Sequence, residues 1–228
     1  MTGANPPRRT GRAGRTGDET KERLLLAALE LFARQGVDAV SMRTINVAAG
    51  ARNASAVHYH FGSKLGIVEA IIDYIREALE AHRQPALAAL EARLAQDDVP
   101  SCRDVVHALF DAYARLNRES EHGRSAVRFL ARLQTDMSPE IQALLNRDPH
   151  ESAARFDALL ARALPTLPAE IRRTRYLYAW TLLLQGIASS ARWEHTAFGD
   201  LRAQSQDVAL LRFFDYVVGG LEAPVTYP

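Results

Sequence analysis

Apolar residues recur along this chain at helical spacing almost from end to end. Leu25, Ala28, Leu29 and Phe32 fall at i, i+3, i+4 and i+7, which predicts an amphipathic helix from about Thr20 to Gln35 with Gly36 as its stop. Met42, Ile45, Ala48 and Ala49 repeat that spacing over a shorter span. Ser41 suits the N-cap, because its hydroxyl accepts from a free amide, and Gly50 suits the left-handed C-cap. Asn53 can cap a second short helix that turns Ala56, Val57 and His60 inward, and Gly62-Ser63 ends it. A short helix, a turn with glycine and a second short helix make the helix-turn-helix pattern. From Lys64, the positions Val68, Ile71, Ile72, Ile75 and Leu79 predict a long helix to about Gln84, stopped by Pro85.

Beyond Pro85 the period stays helical, with segments expected at about 86–96, 101–118, 124–134, 139–146, 150–164, 168–192 and 206–219. No alternating strand pattern and no internal repeat is present, so the fold class is all-α. Two stretches carry a narrow apolar seam suited either to burial within one subunit, which the spacing alone slightly favours, or to helix–helix assembly between copies. Leu177, Trp180, Leu184, Ile187 and Ala191 are spaced 3, 4, 3 and 4, and Leu210, Phe214 and Val217 are spaced 4 and 3.

With 228 residues the chain is long enough for a small domain and a larger one, each with a core. The charge is nearly balanced until it is divided. Residues 1–64 hold ten Lys/Arg against five Asp/Glu, and the remainder eighteen against twenty-two. A basic amino-terminal part beside a mildly acidic remainder suits nucleic acid at one end only. Residues 1–17 are rich in Gly, Pro and Arg, and read as a disordered basic arm. Arg8, Arg9, Arg12 and Arg15 serve there either as a DNA-contacting arm or as a solvated tail. Cys102 is the lone cysteine, which excludes a disulfide framework and a thiolate zinc cluster and fits a reducing cytoplasm. The start of the chain lacks the apolar segment of a secretory signal. The longest uncharged run, Tyr176–Ala191, is sixteen residues, short of the roughly 20 that span a bilayer.

The chemistry concentrates between Ser41 and Lys64. No Asp or Glu lies between Val40 and Glu69, so nothing there repels a phosphate backbone. The stretch resembles the DNA-binding domain of TetR-family transcriptional regulators. The residues that carry the resemblance are Leu29 to Phe32 with Gly36, Ser41-Met42-Arg43, Ala48-Ala49-Gly50 and above all Tyr59-His60-Phe61-Gly62-Ser63-Lys64. The resemblance implies a three-helix DNA-binding domain over 18–64, continuing into a linking helix to about 84. It also implies a helical ligand-binding and dimerisation domain over 85–228. Ser41, Arg43, Arg52, Asn53, Ala54, Ser55, His58, Tyr59, His60 and Lys64 are then the candidate DNA contacts, with Arg43 and Lys64 on phosphates. Asn53, Ala54 and Ser55 are candidates for base edges, since Asn pairs with adenine and a small apolar group touches the thymine methyl. One residue more than the common family spacing stands around Ala51-Arg52-Asn53, which shifts the side chains at the start of the recognition helix.

By the same resemblance the seam residues Leu177, Trp180, Leu184, Ile187, Ala191, Leu210, Phe214 and Val217 form a homodimer bundle. A two-fold dimer places two recognition helices roughly 34–36 Å apart on a near-palindromic operator. Candidates for a small, partly apolar ligand are His107, Phe110, Tyr113, Arg128, Phe129, Phe156 and Tyr178. No cofactor or metal is expected, because His58 and His60 are two apart and share no helix face. Gly123-Arg124-Ser125 lacks the second glycine and the strand of a nucleophile elbow. The expected function is a cytoplasmic, non-enzymatic DNA-binding regulator, a repressor released by ligand. The alternative is a helical ligand-binding or scaffold protein whose helix-turn-helix makes protein contacts.

Overall fold

The stripe that buries Leu24, Ala28, Leu29, Phe32 and Ala33 belongs to the first of the ten α-helices among the described residues, α1, spanning Gly11–Gln35. The computed structural model describes residues 11–53, 55–136, 138–147, 151–189, 193–201 and 205–226, with the side chains of all but 11–16 and 206. Ala54, Ala191, Arg8 and Arg9 lie outside the described residues, as do the side chains of Arg12 and Arg15. The remaining helices are α2 (Met42–Ala48), α3 (Ala56–Phe61), α4 (Lys64–Leu94), α5 (Cys102–Glu119), α6 (Gly123–Leu133), α7 (Pro139–Asn146), α8 (Ser152–Ala163), α9 (Ala169–Ala188) and α10 (Gln206–Glu222). The fold is all-α. Among the described residues the sole β feature is an isolated bridge between Thr196 and Gly199.

The chain divides into two compact units, and the division falls within α4, between Ile71 and Ile72. In the first unit α1 packs on α2 and α3, and α2 packs on α3. Val40, Ile45, Ala56, Val57, Ile67, Val68 and Ile71 complete its core. In the second unit α5 lies against α6, α8 and α10, while α9 lies against α6, α8 and α10. Phe110, Phe129, Phe156 and Phe214 are shut off from solvent there. Cys102 opens α5 as a buried free thiol, and burial pushes its ionisation up to about 12.

Three of the boundaries that differ from the pattern-based expectation have a visible cause. First, α1 begins at Gly11 rather than near Thr20. No proline stands between Pro7 and the buried stripe, so the ladder seeded on that stripe continues backwards despite its glycines. Second, α4 does not stop at Pro85 but runs to Leu94. The proline costs the ladder one amide, yet Pro85 and Ala81, whose carbonyl is left over, are both exposed, so water can serve it. Leu79, Leu87 and Leu90 stay buried on either side. Gln84 is held as well: its Nε2 donates to Glu80 Oε2 (2.7 Å), and its Oε1 accepts from Arg155 Nη1 (2.6 Å). Third, α10 continues through Gly219 and Gly220 to Glu222, because Val217, Val218 and Leu221 are buried and hold the last turn. At the far end of α4, Arg93 Nη1 donates to Asp104 Oδ2 (3.1 Å). Asp104 also completes a capping box with Ser101 at the start of α5.

Candidate nucleic-acid interface

The helix-turn-helix is assembled by a small number of local bonds. Ser41 sits in extended backbone ahead of α2, and its Oγ accepts from the Thr44 amide at 3.0 Å. Ile45 turns into the core, and Gly50 ends α2 at φ +62, a left-handed value that strains any residue with a side chain. Asn53 does not cap α3 directly. Its Oδ1 accepts from the Ser55 amide (2.9 Å) ahead of the helix. The bond that fixes α3 against α2 comes from Asn46, a buried side chain that the sequence pattern did not single out. Its Oδ1 accepts from the Val57 amide at 3.1 Å, so a first-turn donor of α3 is satisfied from α2. A polar residue on the apolar side of a short helix was the available signal. Behind α3, a Cβ at Gly66 would stand 2.1 Å from the Phe61 carbonyl oxygen, so α4 approaches α3 as closely as a bare backbone permits.

The outer side of this assembly collects Arg43, Thr44, Val47, Arg52, Asn53, Ser55, His58 and Tyr59, all exposed. Tyr59 is 83% exposed, and Val47, not among the sequence candidates, is 74% exposed. Val47 was detectable as an apolar residue off the stripe that Ile45 belongs to. Ser41 is exposed but already engaged as the cap. His60 is half-buried, with its ring edge-on to Tyr59 at 5.1 Å. Lys64 is half-buried too. Its Nζ donates to the Val37 carbonyl (3.1 Å) and the Asp38 carbonyl (3.3 Å), tying down the loop between α1 and α2. An ammonium has three donors, which leaves one for a phosphate.

Residues 24–71 match the model of bacterial regulatory proteins of the tetR family, and residues 107–220 match that of the tetracyclin repressor-like C-terminal domain. The chain belongs to the TetR family. It is 36% identical over 70 residues to the HTH-type transcriptional regulator SrpR of Pseudomonas putida. That match takes in 31% of this chain and 32% of SrpR, so the chain spans about a third of that relative's length. Its fold is shared with NalD of Pseudomonas aeruginosa, the secondary repressor of the MexAB-OprM multidrug efflux pump. The TM-score is 0.59 at 22% identity, over 90% of this chain and 97% of that one. PfmR of Thermus thermophilus, a TetR-family regulator, gives 0.56 at 22% identity, over 88% and 100%. At these identities the likeness is one of fold. TetR-family proteins are DNA-binding transcriptional regulators rather than enzymes, and the expectation of a non-enzymatic regulator stands on that membership.

In the second unit of this TetR-family chain, a cavity of about 210 Å³ opens among α4, α5, α8 and α9. Of the expected ligand residues, Tyr113 and Phe156 line it. Phe110 and Phe129 are plain core, Arg128 is half-buried away from the cavity, and the His107 ring packs on Phe214 at 4.3 Å. Tyr178 is 65% exposed and points outward. Tyr176, one of the aromatic residues expected in this half, lines it too, whereas the pattern missed Glu80, Arg83 and Trp180 as lining residues. Trp180, expected at a dimer seam, instead turns inward and donates from Nε1 to the Tyr113 hydroxyl (2.6 Å). The seam needs a wider correction. Leu184, Phe214 and Val217 are buried within the subunit, so the 3–4 spacing is used up by the packing of α9 and α10 on their own neighbours. Leu210 and Ile187 are half-buried and line a second, smaller cavity of about 130 Å³. Leu177 alone of the seam's described residues is exposed, and it stands with Tyr178, Leu182, Leu211 and Tyr216, exposed on the same two helices.

Among the described residues no helix is long and apolar enough to cross a membrane.

Proposed function

We propose that this protein is a homodimeric repressor that occludes a near-palindromic operator and releases it when a small, partly apolar molecule enters the second unit. Residues 18–64, with the linking helix to about 84, serve DNA, and residues 85–228 serve the ligand and the dimer. The observation that carries the reading is the outer side of α2, its turn and α3. It holds two arginines, an asparagine, a histidine and a tyrosine, all exposed, and not one carboxylate. Such a surface neutralises phosphates through Arg43 and Arg52 and keeps short hydrogen-bonders for base edges. Dimerisation uses the outward sides of α9 and α10, where Tyr178, Leu182, Leu211 and Tyr216 are exposed. Release follows if the ligand prefers a conformation in which the two recognition helices no longer match successive grooves. The protein acts in the cytoplasm, where its operator is.

Selection of bound duplexes from a random pool by the full-length protein, with a salt titration of the winning sequence, tests this. An enriched near-palindrome is expected, with affinity falling steeply as salt rises. Arg43→Ala should lower the slope of log affinity against log salt by roughly 0.9 for each phosphate it ceases to neutralise, hence about twice that for a dimer. Binding indifferent to salt, or unchanged in the variant, would remove the interface and favour a role in protein contacts.

A further inference from the structure

The cavity of the second unit has its hydrogen-bonding capacity unevenly satisfied, and the imbalance identifies what belongs in it. Glu80, buried in the wall, is fully occupied as an acceptor. Its Oε2 takes the Ser152 hydroxyl (2.7 Å) and Gln84 Nε2 (2.7 Å), and its Oε1 takes Arg83 Nη1 at 3.3 Å. Arg83 is less well served. Its guanidinium lies 4.8 Å from the centre of the Tyr113 ring, and its Nε–H, closed to solvent, donates to nothing among the described residues. A buried donor without an acceptor carries a desolvation penalty that any incoming oxygen would relieve. The free capacity is therefore a donor's, and it calls for an acceptor.

Charge points the same way. The wall carries three guanidinium groups, Arg76, Arg83 and Arg147, against the single carboxylate of Glu80. Arg76 (2.6 Å) and Arg147 both bind the same oxygen of Asp73, one carboxylate shared between two cations. Among the residues lining the cavity, guanidinium groups exceed carboxylates by three to one. An ammonium ligand would meet this excess and find its one carboxylate already bonded. An anion would be welcomed, and a guanidinium edge presents parallel donors that match a carboxylate. Tyr113, Phe156 and Trp180 supply flat apolar surface beside it. Size narrows the class further. A cavity of about 150 Å³ takes benzene, so 210 Å³ holds one ring with a short polar substituent.

We propose that the cavity takes a single-ring aromatic carboxylate, its carboxylate on the Nε edge of Arg83 and its ring against Tyr113, Phe156 and Trp180. The proposal rests on the reading of the second unit as the ligand-binding half.

Calorimetric titration of the full-length protein with benzoate, benzyl alcohol and benzylamine tests it, three probes of one shape that differ in charge. Benzoate should bind at least tenfold more tightly than either of the others. Arg83→Gln should lose at least tenfold for benzoate while changing benzyl alcohol little, and Arg83→Lys, which keeps the charge without the planar fork, should fall between. Should Arg83→Gln fail to fold, as a thermal melt would show, the wild-type order of the three probes still decides. Benzylamine or benzyl alcohol equalling benzoate, no binding by benzoate, or full affinity in a folded Arg83→Gln protein would each overturn the proposal. Operator binding and release, followed separately by duplex anisotropy, keep the two readings apart. Release by the amine or the alcohol defeats only the ligand class. Benzoate binding without any duplex binding defeats the regulator.

Discussion

The two units of this chain hold their polar groups in opposite places. In the first, the core is thin and aliphatic apart from Phe32, Asn46 is the one buried polar residue among those described, and the bare hydrogen-bonders stand outside. In the second, a core of several phenylalanines encloses Glu80, Arg83 and Ser152 around a cavity, and Arg83 Nε is unmatched inside. Outside, an unmatched donor is served by water and costs nothing until a partner displaces it. Inside, the same vacancy is destabilising until something fills it. One arrangement suits a long, rigid, highly charged partner met across a surface. The other suits a small partner that must be enclosed to be recognised, and it links binding to the stability of the unit that encloses it.

The contrast can be broken most forcefully at the apolar residues of the second unit. Phe214→Ala should lower unfolding free energy by about 3–5 kcal/mol, because a fully buried ring leaves a cavity that the helices cannot close. Tyr178→Glu, on the outward side of α9, should move subunit stability by no more than about 0.5 kcal/mol yet convert dimer to monomer. Urea denaturation with sedimentation velocity on both variants decides. If Phe214→Ala dissociates the dimer at unchanged stability, the assignment of inner and outer sides is reversed. A middle-sized effect belongs to Asn46→Ala in the first unit. Removing the acceptor strands the buried Val57 amide, at about 1–3 kcal/mol, and hydrogen exchange at that amide should accelerate accordingly. Exchange at the wild-type rate would show that α3 is held in place by other means. The smallest effect sharpens the comparison. Lys64→Met should cost roughly 0.5–1.5 kcal/mol through its two carbonyl partners, as well as weakening duplex binding. An effect on DNA with none on stability would return Lys64 to a purely phosphate-facing role.

The first unit was largely legible in the sequence because its determinants are local. The caps at Ser41 and Gly50 and the block Tyr59 to Lys64 lie within two dozen residues, and the carboxylate-free stretch is visible as an absence. Asn46 escaped because a polar residue in a helix reads as exposed unless its partner, eleven positions on, is known. The second unit was legible as helices but not as a site. Its cavity wall joins Arg83 of α4 to Tyr113 of α5, and Tyr113 to Trp180 of α9 across 67 residues, which no local period records. The seam on α9 and α10 read two ways for a related reason. Spacing of 3 and 4 states that one side of a helix is covered, not whether a neighbour in the same chain or a second copy covers it. Pro85 misled because a proline's cost depends on whether the orphaned carbonyl meets water, and that is settled by tertiary packing.

Cys102 carries a practical consequence. It is the single thiol of the chain, it sits at the buried start of α5, and its ionisation is driven beyond the reach of neutral solutions. Thiol reagents attack the thiolate, so in the closed protein this sulfur is silent. Each labelling event must then record a moment when the second unit has opened, and the rate becomes a clock for that opening. Occupants of the cavity can therefore be ranked by how far they slow the clock, without any knowledge of the operator.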